Sequence, residues 1–549
     1  MDFPAYAPIT CNDSSPRFAP PFEEISAAAD HSTFLVLLLN ETADCPCRHK
    51  DMLTPSNPHS RDHPHACHGI STDLEDYFLT RRQFLSRVGM GVGALGLASL
   101  LPSSQLFGAT AATSALDLGP SPLLPKPPHF PAKAKAIIHI FAQGAPSHVD
   151  TWDPKPSLAR YNNKTLPDGG GVAMGSPFKF AKYGRSQLEV SDLFAKTAAH
   201  ADDLAVIRSM WTDIPAHDVA TVFMNTGSLR IVKPSLGSWL VYGLGTENQN
   251  LPGFIALRGG KLPTGGAGNY GSSFLPGSYQ GASVNTTAAN VTQMIQNIRN
   301  GYVAPKEQRR QLDFVHQLND LHAQNLQRES ALETRLESYE IAFRMQTEAT
   351  DAFDINKESA ETRAAYGITD GPGAARRGGG DQGKQLLIAR RLIERGVRVV
   401  QVWHDGWDHH QDLEEKLTAK AGEIDKPLAA LLADLKQRGL LDSTLVVWGG
   451  EFGRKPTKDK GGYDNPGRDH NAKAFSVVMA GGGIKGGTVH GASDEFGAAA
   501  VTDKVHVHDL HATMLHCLGL DHTKLTYRFN GRDFRLTDVA GNVVKPVLA

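Results

Sequence analysis

Six short apolar runs, rich in β-branched residues, constrain the fold more than any other feature of this chain. They are residues 136–141 (AIIHIF), 204–208 (LAVIR), 254–257 (FIAL), 397–403 (VRVVQVW), 445–448 (LVVW) and 475–480 (FSVVMA). Runs of this length without polar alternation read as strands buried on both faces. Helix-like segments stand between them, and the one at 383–395 leads straight into the run at 397, as a crossover connection does. The expected fold class is α/β: a three-layer sandwich with a mostly parallel sheet and helices on both faces.

From about residue 304 to 353 the pattern changes to a charged helical stretch. Its apolar residues Leu312, Val315, Leu318, Leu332, Leu336, Tyr339 and Phe343 follow steps of three, four and seven, which describe one stripe. A helical insertion packed against the body is expected; a coiled-coil arm is the alternative, although the stripe drifts from a strict heptad. Glycine-rich loops occupy 259–281 and 371–380, the second reading as a crossing into the C-terminal half. A tight turn is expected at 481–487 and a late core helix at 509–518.

Residues 80–85 read TRRQFL and are followed at 88–101 by an uncharged apolar run, VGMGVGALGLASLL. That pairing reads as a twin-arginine export signal over 80–115, with small residues at 108–115 offering cleavage near Ala109–Ala111. The run falls short of the roughly 20 apolar residues needed to span a bilayer. Residues 1–79 read as a polar leader, and a true start at Met52 would explain why the signal lies inside the chain. The expected partner is the twin-arginine translocation machinery, and the expected destination is periplasmic or extracellular. Four of the five cysteines precede the expected cleavage, which leaves Cys517 alone and no internal disulfide. With 56 basic and 58 acidic residues there is no long-range field for nucleic acid or acidic lipid. No segment after the signal is long and apolar enough to span a membrane.

The densest group of chemistry-bearing residues follows the fourth run: His404, Asp405, Asp408, His409, His410 and Asp412. In parallel sheets ligands bind beyond the carboxyl ends of strands, where this group sits. Carboxylate and imidazole are the ligand types of zinc and manganese sites; a solvated polar loop is the plain alternative. Glu451 and Arg454 end the fifth run in GEFGR at 450–454, and Arg468, Asp469 and His470 precede the sixth in GRDHN at 467–471. Each has the composition of an ordinary turn as well. The first run leads into QGAPSHVDTWDP at 143–154, which adds His148 and Asp150. His217, in IPAHD at 214–218, opens an apolar helical run ending Asn225-Thr226-Gly227. It therefore stands near a helix N-terminus, where anions are attracted, while Asp218 serves equally as a cap. The stretch GGGDQGKQ at 378–385 looks like a phosphate-binding loop but lacks its final Ser/Thr, and no G-x-S-x-G elbow is present.

In their order, QGAPSHVD at 143–150, RSM at 208–210 with His217, WDHH at 407–410, GEFGR, GRDH at 467–470, AGGGIKGG at 480–487 and DLHAT at 509–513 resemble the sulfatase and alkaline phosphatase superfamily. Within it they resemble an exported family, domain of unknown function 1501, over roughly residues 133–538. The resemblance implies an alkaline phosphatase-like domain and a divalent ion, zinc, manganese or calcium. By that correspondence Asp408 and His410 look similar to the superfamily's upstream ligands, with Asp405 and His409 fitting equally well. His470 matches its last histidine, with Asp469 beside it. Glu451-Phe452-Gly453 stands where the superfamily has Asp-His-Gly as metal ligands, so by the resemblance Glu451 keeps a ligand carboxylate and an imidazole ligand is lost. The aspartate expected directly after the first strand is missing, and Asp150 or His148 would replace it. Nine residues before Thr226-Gly227, where typical sulfatases carry the Cys or Ser that becomes formylglycine, this chain has His217, which cannot form it.

Two function classes follow. One is a metal-dependent hydrolase of sulfate or phosphate esters with an altered site, His217 acting as acid, base or nucleophile and Arg454 and Arg468 meeting the substrate anion. The other is an inactive protein of the same fold that binds an anionic sugar or cell-wall polymer. Docking to an assembly through the helical stretch is a third, weaker reading.

Overall fold

A computed structural model of the protein describes residues 121–549, apart from 231, 289, 296, 297, 299–301, 326–329 and 369–379. The expected leader and export signal, and residues 371–379 of the second glycine-rich loop, lie outside the described residues.

Nine strands form one sheet: β1 (Ala136–Ala142), β2 (Leu204–Trp211), β3 (Phe254–Arg258), β4 (Ala282–Asn285), β5 (Val399–His404), β6 (Thr444–Gly449), β7 (Phe475–Ala480), β8 (Thr488–His490) and β9 (Val505–His506). Their order is β8-β2-β7-β6-β1-β5-β3-β4, with β9 beside the far end of β2. Every pairing is parallel except those of β7, which runs against both β6 and β2. The fold is thus α/β with a mostly parallel sheet, and β7 is the one reversed strand among those described.

Alternation along β1 shows why both faces are dry. Ile138 and Ile140 join Val400, Val402, Val446 and Trp448 in one core, while Ile137 and Phe141 join Val399, Trp403, Leu445 and Val447 in another. Helices cover each face. On the first side lie Leu386 to Leu392 of the helix Gly380–Glu394 and Leu417 to Leu435 of the helix Leu413–Gln437. On the second lie α1 (His217–Thr226), α2 (Leu236–Leu244) and the late helix Val507–Cys517. Burying an aliphatic side chain from water contributes about 1.5–3 kcal/mol, so these two cores dominate the stability.

The insertion is two helices, Pro305–Asn325 and Ser330–Phe353. Arg309 grips Glu340 across the pair with both terminal guanidinium nitrogens, at 2.7 and 2.5 Å. The apolar stripe is covered only in part: Leu312 and Leu336 are buried, whereas Val315, Leu318 and Tyr339 are exposed. The hairpin therefore leans on the body through its later residues, Met345, Ala352 and Phe353, and not along its whole stripe.

Candidate functional site

Strand direction gathers the polar residues at one sheet edge. The parallel strands β1, β2, β5 and β6 all end there, so the segments after them, carrying Gly144, His217, Asp408 with His410, and Glu451, share that edge. Because β7 is reversed, it is the segment before it that arrives at the same place, bringing Arg468, Asp469 and His470. A two-residue ladder, His470 opposite Arg454, fastens that segment to the one following β6. Gly144 is indispensable to the arrangement. Its φ is +104°, and a Cβ there would lie 2.6 Å from the Asp408 nitrogen and 2.8 Å from that of Trp407. Only glycine allows the turn after β1 to press on the backbone that presents Asp408. Trp407, fully buried against Phe194 and Trp448, anchors that backbone from the other side.

Four ligand-type atoms meet at the edge. His217 Nε2 and His410 Nε2 each lie 3.0 Å from His470 Nε2. Asp408 Oδ1 is 3.3 Å from His217 Nε2, 2.9 Å from His410 Nε2 and 3.4 Å from His470 Nε2. The other nitrogen of each ring is engaged elsewhere. His217 Nδ1 is 2.6 Å from Glu451 Oε1, His410 Nδ1 is 2.5 Å from Asp459 Oδ2, and His470 Nδ1 is 2.9 Å from the carbonyl of Pro215. A carbonyl and an ionised carboxylate only accept, so in the neutral rings each Nδ1 carries the proton. The Nε2 atoms then face one another as lone pairs, and their 3.0 Å separations are not hydrogen bonds. Solvent reaches all four side chains, Asp408 most of all at 43% exposure.

The remaining expected site residues stand apart from this quartet. Asp150 is fully buried and paired twice with Arg468, at 2.6 and 3.0 Å, and His148 bonds the Gly497 carbonyl through Nε2. Neither arginine is open to a substrate anion. Arg468 has no exposure and spends its remaining donors on the Met174 and Lys455 carbonyls. Arg454, 1% exposed, donates to the carbonyls of Gly144, Ala145 and Arg468 and, at 2.5 Å, to Asp408 Oδ1. Asp405 is exposed and His409 buried, and neither joins a potential ligand group. Asp469 pairs with Lys455 at 2.6 Å and, with His410 and Asp459, forms a second such group. Nothing in the sequence marks Asp459. It sits in KDKGG, a lysine-flanked loop that reads as ordinary solvated surface.

A family described only as "protein of unknown function", DUF1501, has a profile that matches residues 134–548. The chain belongs to that family. No curated protein matches it. Among solved structures it is similar to a sulfatase from Pseudoalteromonas sp., at 10% identity and a TM-score of 0.30, covering 70% of this chain and 68% of that one. It is similar also to an alkaline phosphatase from the Antarctic bacterium TAB5, at 12% identity and a TM-score of 0.26, with 64% and 92% covered. A phosphonate monoester hydrolase from Silicibacter pomeroyi gives 11% identity, a TM-score of 0.29 and 76% of each chain. Likeness of this degree says nothing about the chemistry at the sheet edge of this DUF1501 chain.

The edge's own chemistry favours a cation. Three neutral imidazoles and a carboxylate are a donor set for zinc or manganese. Donors about 2.0–2.1 Å from a tetrahedral centre stand about 3.3–3.4 Å apart, and the distances of His470 Nε2 and Asp408 Oδ1 to each other and to the His217 and His410 Nε2 atoms run from 2.9 to 3.4 Å. Without a cation, protons take its place. Burial opposes charge on His217, but hydrogen bonds to Asp408 and Glu451 outweigh it and lift its pKa to about 9. Burial also opposes ionisation of Asp408, yet the bonds from His217 and His470, with Arg454 alongside, hold its carboxyl well below the usual range.

Proposed function

We propose that this DUF1501 protein is an exported, metal-dependent hydrolase of sulfate or phosphate esters. The observation that carries the reading is the convergence of the His217, His410 and His470 Nε2 lone pairs with Asp408 Oδ1. Those four atoms would hold one divalent ion; calcium, which takes six to eight oxygens, suits them poorly. When bound, such an ion lowers the pKa of water and polarises the ester oxygen. The chain's own groups do the rest. Arg454 fixes Asp408 from behind, and the carboxylates of Glu451 and Asp459 hold two of the three rings in one orientation. His217 serves in this reading as a donor to the ion, since both its nitrogens are committed. Export through the twin-arginine pathway agrees with loading the ion before transport.

A second reading is supported by the same donor set. Four protein donors would fill a tetrahedral shell, as in structural sites, and leave no open position for a substrate or an activated water. A binding protein for an anionic sugar or wall polymer, with an inert ion, would look like this.

Elemental analysis of the purified protein beside Asp408→Ala and His470→Ala separates the outcomes. About one mole of zinc or manganese per chain, lost in both variants, together with turnover of a sulfate or phosphate ester supports the hydrolase. Metal without turnover on a broad ester panel supports the binding protein, and a stably folded, metal-free wild type overturns both.

A further inference from the structure

We propose that Glu451 is a positioning residue, not a ligand: its buried carboxylate fixes which nitrogen of His217 faces the donor cluster, and Asp459 does the same for His410. The inference rests on the reading that the cluster holds a divalent ion.

Correspondence along the sequence makes Glu451 a ligand, and the geometry assigns it another task. Its Oε1 is taken by two donors, the Gly144 N–H at 2.9 Å and His217 Nδ1 at 2.6 Å, and the side chain has no exposure. The two nitrogens of an imidazole point away from each other. A carboxylate held by Nδ1 thus lies across the ring from whatever Nε2 meets. Such a carboxylate fixes the tautomer and makes the ring a stronger donor. Glu451 is also tied to a second member of the quartet. The Gly144 turn that it holds presses on the backbone nitrogen of Asp408, so one buried carboxylate sets the placement of two donors.

Asp459 repeats the arrangement in a looser form. Its Oδ2 takes His410 Nδ1 at 2.5 Å and its Oδ1 takes the Gly461 N–H at 2.8 Å, with 11% exposure. His470 has only the Pro215 carbonyl, a neutral acceptor. The cluster therefore contains two rings backed by charge and one that is not.

Glu451→Gln is the informative substitution, because an amide oxygen still accepts from Gly144 N–H and from His217 while the charge is removed. Wild type, Glu451→Gln and Asp459→Asn are titrated with zinc against a chromophoric chelator. Their cobalt-substituted forms are compared by visible spectroscopy, and thermal unfolding is followed in the metal-free state. The expected result is a fall in zinc affinity of about 10–100-fold in each variant, with the cobalt coordination number unchanged and unfolding still cooperative in the metal-free state. Wild-type affinity in Glu451→Gln overturns the proposal. So does complete loss of uptake with a changed cobalt coordination class, which would make Glu451 a ligand. Failure of the wild type itself to take up zinc or cobalt overturns the metal reading first, an outcome distinct from equal affinities in wild type and variant. Should Glu451→Gln not fold, Asp459→Asn carries the same comparison.

Discussion

Arg468 and Asp150 form a pair with no exposure on either side, joined by two hydrogen bonds, and Ser147 adds a third to the same carboxylate. Burial works against the ionised Asp150, but the Arg468 charge and these bonds keep its carboxyl below the usual range. Replacing the guanidinium strands that carboxylate in a dry site. Arg468→Met is expected to cost about 3–5 kcal/mol in urea unfolding; a cost under about 1 kcal/mol would mean that the carboxylate finds another partner or takes a proton. The pair also shows the limit of reading single residues from sequence. An arginine after a glycine looks the same whether its fork meets solvent or a buried aspartate 318 positions away. Asp459 is the converse case, a plain loop aspartate whose partner His410 lies 49 positions away. Residue types at this sheet edge were legible because histidine and aspartate cluster directly after buried strands. Roles were not, because they depend on which atom each side chain turns toward its neighbour.

At the scale of elements, the six apolar runs reappear as six of the nine strands in the sheet. The other three, Ala282–Asn285, Thr488–His490 and Val505–His506, have two to four residues and are partly exposed, so no apolar run announces them. Strand direction was equally silent: nothing in FSVVMA says that β7 runs backwards, yet that reversal delivers His470 to the site. Helix α1 links element to site most directly, since it begins at His217 and ends at Gly227 with φ of +63°. A Cβ on Gly227 would stand 2.2 Å from the Leu536 carbonyl oxygen. Gly227→Ala therefore combines left-handed strain with a backbone clash and is expected to cost at least about 1–3 kcal/mol. Differential scanning calorimetry reads this as a lower unfolding temperature, and zinc titration of the same variant should show weaker binding if α1 is what holds His217 in place. An unchanged unfolding temperature would mean that the C-terminal segment around Leu536 yields without cost.

For the whole molecule, the response to pH follows from histidines enclosed between the sheet and its second helical layer. His139 lies on β1 in register with Gln401, His511 bonds the Met224 carbonyl, and His508 meets the ring of Phe223. Burial pushes His139 down to about 4, His508 to about 4 and His511 to about 3, with repulsion from His506 adding to the effect on His508 and repulsion from His508 to that on His511. An unfolded histidine titrates near 6.5. Between pH 6.5 and 4 the unfolded chain thus binds protons that the folded chain refuses, so these residues favour the fold fully above pH 6.5 and progressively less as the pH falls. At its steepest the loss from three such groups is roughly 4 kcal/mol per pH unit. Asp150 and Asp408, held below the usual carboxylate range, add their own losses only at lower pH. His217 has the opposite sign. In the metal-free protein its pKa of about 9 makes its contribution complete below pH 6.5 and lost as the pH rises through 9. Urea unfolding of metal-free protein from pH 10 to 4 should accordingly give a dome with a steep acid limb, and His139→Gln or His511→Gln should each flatten that limb by about 1.4 kcal/mol per pH unit. Stability that stays level from pH 7 to 4.5 would mean that the buried rings accept protons in the folded state and that the layer over this face of the sheet opens to water to let them in.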